Sequence, residues 1–264
     1  MNTVGFIGTG NMAKAIISGV HSNKICMRVM GYDINKNNYD ILNEIGVVIC
    51  SSIEELVKKC EYIVLSIKPQ NFPEVLENIK PVLTENRVLI SIAAGITEEY
   101  ISTTLGFCPR FVQVMPNTPL LIGKGSTAIA RGTTVDDDSF NFVKKLFSIS
   151  GKTFVIPIEK MNEIIAINGS SPAYIYMFAK GFLNFAKEKG IDEESALNLF
   201  CAALEGSAEM LLNSGKDPDR LIKDVSSPGG TTLAGLSVLE ANHFVEIIEK
   251  TCEQTFKRAT ELSR

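Results

Sequence analysis

From residue 3 to about residue 157, short β-like runs alternate with helical patterns, and after Pro157 the β-like runs stop. No other feature constrains the fold as strongly as this switch. "TVGFIG", "CMRVMGYD", "GVVIC", "EYIVLSIKP", "RVLISIAAG", "RFVQVMP" and "KTFVIP" are rich in Val, Ile and Phe, and most end in Gly, Pro or Asp. Between several of them, as over 11–22 and 35–45, apolar residues recur three and four apart. Near-continuous apolar strands joined by helical crossovers predict a parallel, doubly wound sheet covered on both faces. The rest of the chain predicts helices over about 159–167, 172–189, 192–214 and 244–263, with a shorter one opened by "SSPGG". The expected organisation is therefore an α/β domain over 1–157 and an all-helical domain over 158–264.

One helical segment is too apolar for a surface. Leu197 to Leu204, "LNLFCAAL", has a single polar residue, so it must be covered on nearly every side. Two readings provide that cover: a central helix in a monomeric bundle, or a helix sandwiched in a homodimer.

Composition excludes several function classes. The net charge is −4 and no Lys/Arg-rich run appears, so a nucleic-acid or acidic-membrane surface lacks its usual footprint. Six cysteines at positions 26, 50, 60, 108, 201 and 252 form no CxxC pair, and they read as thiols of a reducing compartment and not as a metal site. The N-terminus has neither a basic region nor a cleavable apolar run, and no stretch approaches about 18 apolar residues in a row. Cytoplasmic is the expected location, with no membrane partner.

The first strand runs into Gly8-Thr9-Gly10-Asn11-Met12-Ala13, a G-x-G-x-x-A turn that opens an apolar-periodic helix. Gly8 permits the tight turn, Gly10 lets backbone approach a pyrophosphate, and Ala13 lets helix and strand pack closely. A second strand ends at Asp33, twenty residues beyond Ala13, where a carboxylate meets the adenine ribose of a dinucleotide. These features predict a Rossmann-type domain. Asp33 favours NAD(H) over NADP(H), whereas Lys36 could grip a 2′-phosphate and Asn35 and Asn37 could donate to it, so the choice stays open. Two further loops fall at strand ends: "SIKPQ", with Lys68, Pro69 and Gln70, and "AAG", Ala93, Ala94 and Gly95. Lys68 faces phosphate, ribose or nicotinamide amide, or is a solvated lysine stopped by proline.

A dinucleotide implies hydride transfer, and reducing a ketone requires a general acid. The two histidines, His21 and His243, fit structural roles better, and Lys180 with Asn184, four apart on one helix face, is the remaining pair that could polarise a carbonyl. A protonated imine already carries the charge that hydride neutralises and needs no strong acid. Scarcity of acids fits imine reduction.

"IGTGNMAKAI", "IKPQ", "VMPNTP" (114–119), "GSSPAY" (169–174) and "VSSPGGTTLAGLSVLE" (225–240) together resemble pyrroline-5-carboxylate reductase, in order and over essentially the whole chain. The resemblance implies NAD(P)H-dependent reduction of 1-pyrroline-5-carboxylate to L-proline, and a helical domain that dimerises to complete the site. It also implies a role for "SSPGG". Ser227 is expected as N-cap and Pro228 as the first helical residue, with Gly229 and Gly230 clearing side-chain atoms so that their N–H groups receive the substrate carboxylate. Ser227 and Thr231 are assigned to substrate binding, Thr232 to the substrate and the catalytic step, and Lys68 to catalysis and cofactor binding. Where the family usually reads SGSGPAY, this chain has Asn168 for the first serine and Ser171 for the second glycine. The alternatives are a β-hydroxyacid dehydrogenase-like carbonyl reductase using Lys180 and Asn184, and a dinucleotide-binding redox sensor without turnover.

Overall fold

The computed structural model describes residues 1–262. Contacts divide the chain into two compact units: Met1–Pro172, which the chain rejoins at Cys252, and Ala173–Thr251. The first holds eight strands and the helices between them: β1 Thr3–Ile7, α1 Asn11–Ser22, β2 Arg28–Tyr32, α2 Tyr39–Glu44, β3 Val48–Ile49, α3 Ile53–Lys59, β4 Tyr62–Leu65, α4 Phe72–Ile79, β5 Val88–Ser91, α5 Glu98–Leu105, β6 Arg110–Pro116, β7 Gly125–Arg131, α6 Asp137–Ser148 and β8 Gly151–Val155. Next come α7 Met161–Ile164, a π-helical turn over Ile165–Gly169, α8 Ser171–Glu188, α9 Glu193–Asn213, α10 Pro218–Asp224, α11 Thr231–Ala241 and α12 Phe244–Leu262.

The sheet order is β3-β2-β1-β4-β5-β6-β7-β8. All neighbours are parallel except β6 and β7, so one antiparallel pair corrects the expected all-parallel sheet. β7, "GSTAIAR", is also a strand that propensity misses, because its small residues carry little β signal. The link from β6 spans only residues 117–124, too short for a parallel crossover, and the chain must turn back. Strand residues alternate between faces. Val4, Phe6, Val64, Ile90 and Val112 pack toward one core, which α1 and α6 close, while Ile7, Ile63, Leu65, Leu89 and Phe111 pack toward a second, closed by α3, α4 and α5. A third cluster gathers Met115, Ala128, Met161, Ile165 and Ala259, which ties the end of α12 to the sheet. Each fully buried Phe or Leu contributes about 1.5–3 kcal/mol of apolar burial. Cys60 belongs to the second core, and burial pushes its thiol up to about 12.

Helix starts follow the sequence where side chains cap them. Ser52, Thr97, Asp136, Asp192 and Asp217 each accept the N–H three residues on, at α3, α5, α6, α9 and α10. α1 and α11 instead open on glycines, Gly10 and Gly230, with no side-chain cap.

The second unit is helical and barely closed. Phe178, Phe182, Phe200 and Phe244 stack with ring centroids 4.9–6.1 Å apart. Yet Ala186 is its only buried residue among those described, and α9 buries none. Within "LNLFCAAL" only Phe200 is packed against other rings, while Leu197 and Leu199 stay 44% and 70% exposed among the described residues. That exposure agrees with the reading of the segment as a helix sandwiched in a homodimer.

Candidate active site

The carboxyl ends of β1, β4, β5 and β6 carry the loops of the nucleotide end, all within the first unit. Gly8 has φ +88°, and a Cβ there would sit 2.3 Å from the Ser66 carbonyl oxygen on the adjacent β4 end. Only glycine fits this crossing. Gly10 faces open space, since a Cβ added to it meets no atom within 4 Å. The first intrahelical bond of α1 runs from Lys14 N–H to Gly10 O (3.0 Å), so the amides of Asn11, Met12 and Ala13 precede the ladder. An uncapped 12-residue helix whose entrance lacks side-chain atoms fits a pyrophosphate. Ala13 is fully buried and lets α1 pack on β1.

Thr9 is also fully buried, and Asp33 turns toward it: Asp33 Oδ2 accepts from Thr9 N–H (2.6 Å) and from the Thr9 hydroxyl (3.0 Å). The carboxylate expected at the ribose is thus directed into the glycine-rich turn. Lys36 is exposed in a short 3₁₀ turn, where Asn35 Oδ1 accepts the Asn37 N–H at 3.0 Å.

Lys68 is exposed at the end of β4, and its ammonium has no hydrogen-bond or ion-pair partner among the described residues. Pro69 opens the 3₁₀ turn that follows, with Gln70 exposed beside it. In the β5 loop, Ala93 is buried in the second core and donates its N–H to Ser91 Oγ (3.3 Å). Gly95 has φ +77°, and a Cβ on it would meet the Ala259 carbonyl oxygen at 2.8 Å. Both residues have packing reasons to be small, and Ala94 is half-buried.

The "SSPGG" stretch lies in the second unit and differs from the expected cap. Gly230 N–H donates to Ser227 O (2.9 Å), and Gly229 has φ +68°, a tight turn with Pro228 and Gly229 in its central positions. Ser227 is therefore not the N-cap and Pro228 is not helical. Gly230 is the cap, its own N–H is used within the turn, and α11 starts at Thr231. The first intrahelical bond is Ala234 N–H to Gly230 O (3.4 Å), which leaves the amides of Thr231, Thr232 and Leu233 ahead of the ladder. Of the expected pair of donors, Gly230 N–H is thus taken up by the turn, and the amides ahead of the helix ladder lie one to three residues further on. Ser227, Gly229, Thr231 and Thr232 are exposed. A Cβ on Gly229 meets nothing within 4 Å, so its backbone angle and not crowding requires glycine.

Sequence reasoning missed a polar tie behind the β6 end. Asn168 Nδ2 donates to Met115 O (2.7 Å) and Ser126 O (3.2 Å), while its Oδ1 accepts from Asn117 Nδ2 (3.4 Å) and from the Ser126 hydroxyl. Asn117 Oδ1 in turn accepts Ser126 N–H (2.9 Å). A serine at 168 has one hydroxyl donor and cannot make both carbonyl contacts, so this departure from the family pattern locks the π-helical turn to the β6–β7 pair. α8 begins at Ser171 itself, whose hydroxyl donates to Asn168 O (3.4 Å). The "VMPNTP" stretch after a strand was the available signal.

Lys180 and Asn184 are exposed on α8 and share no hydrogen bond. His243 has φ +53° in the turn before α12, with its Nδ1 3.2 Å from Glu246 Oε1, and His21 is exposed at the end of α1. Among the described residues there is no cluster of three or more His, Cys, Asp or Glu able to hold a metal, and no helix is long and apolar enough to cross a membrane.

Residues 159–262 match the family described as pyrroline-5-carboxylate reductase dimerisation, and residues 3–95 match that described as NADP oxidoreductase, coenzyme F420-dependent. The chain is 33% identical to pyrroline-5-carboxylate reductase from Pisum sativum, over 99% of its own length and 96% of the relative's. It is also 33% identical to pyrroline-5-carboxylate reductase 2 from Bacillus subtilis, over 99% and 95%. The crystal structure of Plasmodium falciparum pyrroline carboxylate reductase with NADP bound superposes with a TM-score of 0.91 at 30% identity, covering 100% of this chain and 98% of that one.

Proposed function

The chain belongs to the pyrroline-5-carboxylate reductase family, and from that premise we propose that it reduces 1-pyrroline-5-carboxylate to L-proline in the cytoplasm, as the last step of proline biosynthesis. The observation that carries this reading is the pair of glycine-capped, side-chain-free helix starts, α1 and α11, in a fold whose other capped helices use Ser, Thr or Asp. A capping side chain would occupy the amides; glycine leaves them for a ligand anion.

The residues divide the work. Gly8 and Thr9 shape the turn, Gly10 keeps its entrance clear, and the amides of Asn11, Met12 and Ala13 receive the pyrophosphate of NADP(H) or NAD(H), with Lys36 and the unpartnered Lys68 as nearby cations and Pro69, Gln70 and Ala94 lining the strand-end loops. When bound, the reduced nicotinamide supplies the hydride. The amides of Thr231, Thr232 and Leu233 hold the substrate carboxylate, and Ser227 adds its hydroxyl. The Thr232 hydroxyl positions the ring nitrogen and becomes a better partner as the iminium loses its charge and the amine gains a lone pair. No group in this scheme has to supply a proton during transfer, because the imine arrives protonated. His243 beside Glu246 and the exposed His21 have no part in it.

The match to a dimerisation domain supports a homo-oligomer, and the uncovered apolar helices agree with it. Oxidation of NADPH and NADH at 340 nm with pyrroline-5-carboxylate tests the reading: turnover with both is expected. Dinucleotide binding without turnover would favour the redox sensor. Near-normal turnover by Lys180→Ala separates imine reduction from the carbonyl reductase, in which loss of that lysine abolishes catalysis.

A further inference from the structure

Asp33 stands where a carboxylate reads the adenine ribose, but both of its oxygens already accept hydrogen bonds from the protein itself, from a half-buried position. Oδ2 accepts from both the N–H and the hydroxyl of Thr9, at 2.6 and 3.0 Å, and Oδ1 accepts the Asn35 N–H at 2.9 Å. Tyr39 brackets the backbone of Asp33. Its hydroxyl donates to Asp33 O at 2.6 Å and accepts Asp33 N–H at 3.0 Å. The end of β2 is thus fixed from two directions, and the bond from Gly8 N–H to Tyr32 O (2.9 Å) adds a third tie between the same two loops.

Thr9 is the middle residue of Gly8-Thr9-Gly10, fully buried between a glycine at φ +88° and one facing open space. Two glycines give this turn many alternative backbone conformations. The charge-assisted bonds from Thr9 to a carboxylate 24 residues away select one of them. The selected form draws the Thr9 N–H inward and leaves the α1 entrance to the ligand.

Resting on the dinucleotide reading above, we infer that Asp33 is a positioning residue for the glycine-rich turn and not the reader of the ribose 2′ position. It supports NADPH and NADH alike. Discrimination at the 2′ position then falls to the neighbouring exposed side chains, with Lys36 as the cation among them.

Fluorescence titration of the intact protein with NADPH and with NADH, alongside melting temperature, tests this on Asp33→Ala, Asp33→Asn and Thr9→Val. The brace weakens both dinucleotides in Asp33→Ala by a similar factor, about tenfold, equivalent to about 1.4 kcal/mol. The ratio of the two dissociation constants stays at its wild-type value. Thr9→Val gives a smaller loss of the same kind, and the double variant Thr9→Val/Asp33→Ala is no weaker than Asp33→Ala alone, because the two residues share one interaction. Should Asp33→Ala fail to fold, Asp33→Asn keeps an acceptor oxygen for Thr9 while removing the charge, and again leaves the ratio unchanged. A shift toward NADPH in either Asp33 variant overturns the inference, since that is the signature of a ribose reader. So does a lower melting temperature with both affinities intact, which marks a merely structural residue. Dinucleotide binding without reduction of pyrroline-5-carboxylate would end the reductase reading and leave this inference standing; a wild type that binds neither dinucleotide ends both.

Discussion

The two units obey the same local rules of helix and turn but differ in how they bury what those rules produce. In the first, Phe6, Phe72, Phe111 and Phe147 are all but fully covered by the chain's own strands and helices. In the second, Met177 is 78% exposed, and Leu212 and Val245 are nearly as open. Secondary structure alone does not make a core. An α/β sheet supplies its own cover through crossover helices, whereas a few long helices need a further layer, which the second unit does not provide for itself. The first unit should therefore behave as a domain stable in its own right, and the second as half of one.

The largest expected effect tests that difference directly. Ala203 lines an apolar groove between α9 and α10 with Gly206, Met210 and Leu221. Ala203→Glu places a charge in that surface, and if a second copy covers it the burial penalty of several kcal/mol should leave inactive monomer or aggregate. Wild-type protein should sediment as at least a dimer. Full activity from a wild-type monomer at micromolar concentration would dissolve the contrast between the units. Next, Phe111→Ala in the first unit should cost about 3–5 kcal/mol in urea unfolding. That loss should not depend on protein concentration, whereas unfolding of the helical unit should.

A functional contrast comes third. Thr232→Val keeps the shape and removes the hydroxyl, and kcat/KM should fall about tenfold to a hundredfold, or about 1–3 kcal/mol. Dinucleotide affinity should hold, because the pyrophosphate turn belongs to the other unit. A destabilised variant with normal kinetics would remove Thr232 from the site. The smallest effect is expected at Glu55, whose carboxyl lies at about 2 because the Lys59 ammonium and the Ser51 donors hold its charged form. A folded pKa below the ordinary value stabilises above the unfolded pKa and is lost as pH falls through the folded one. The melting-temperature gap between wild type and Glu55→Gln should therefore be full at neutral pH and close as pH drops from 4.5 toward 2.

Much of the fold and part of the site were legible in the residues themselves. The switch at Pro157, the G-x-G-x-x-A turn and most helices follow from periodicity, glycine and caps, which act over one to four neighbours. What was misread involved partners further along the chain. β7 lacked a propensity signal and was fixed by the short link before it. The register of "SSPGG" was misread because a proline followed by glycine serves a tight turn as well as a helix entry, and the left-handed angle of Gly229 decided for the turn.

The sequence by itself determined the alternation of strands and helices, the glycines at two helix starts and the apolar character of the helical half. The tertiary structure alone decided that Asp33 faces Thr9, that Asn168 joins Asn117 from 51 residues away, that Gly95 must admit the carbonyl of Ala259, and that α9 has no fully buried residue among those described. The physical reason is range. Propensity, capping and turn chemistry are settled by adjacent residues, but which donor a carboxylate meets, and whether an apolar face is covered, depends on groups that only the completed fold or a second chain brings near.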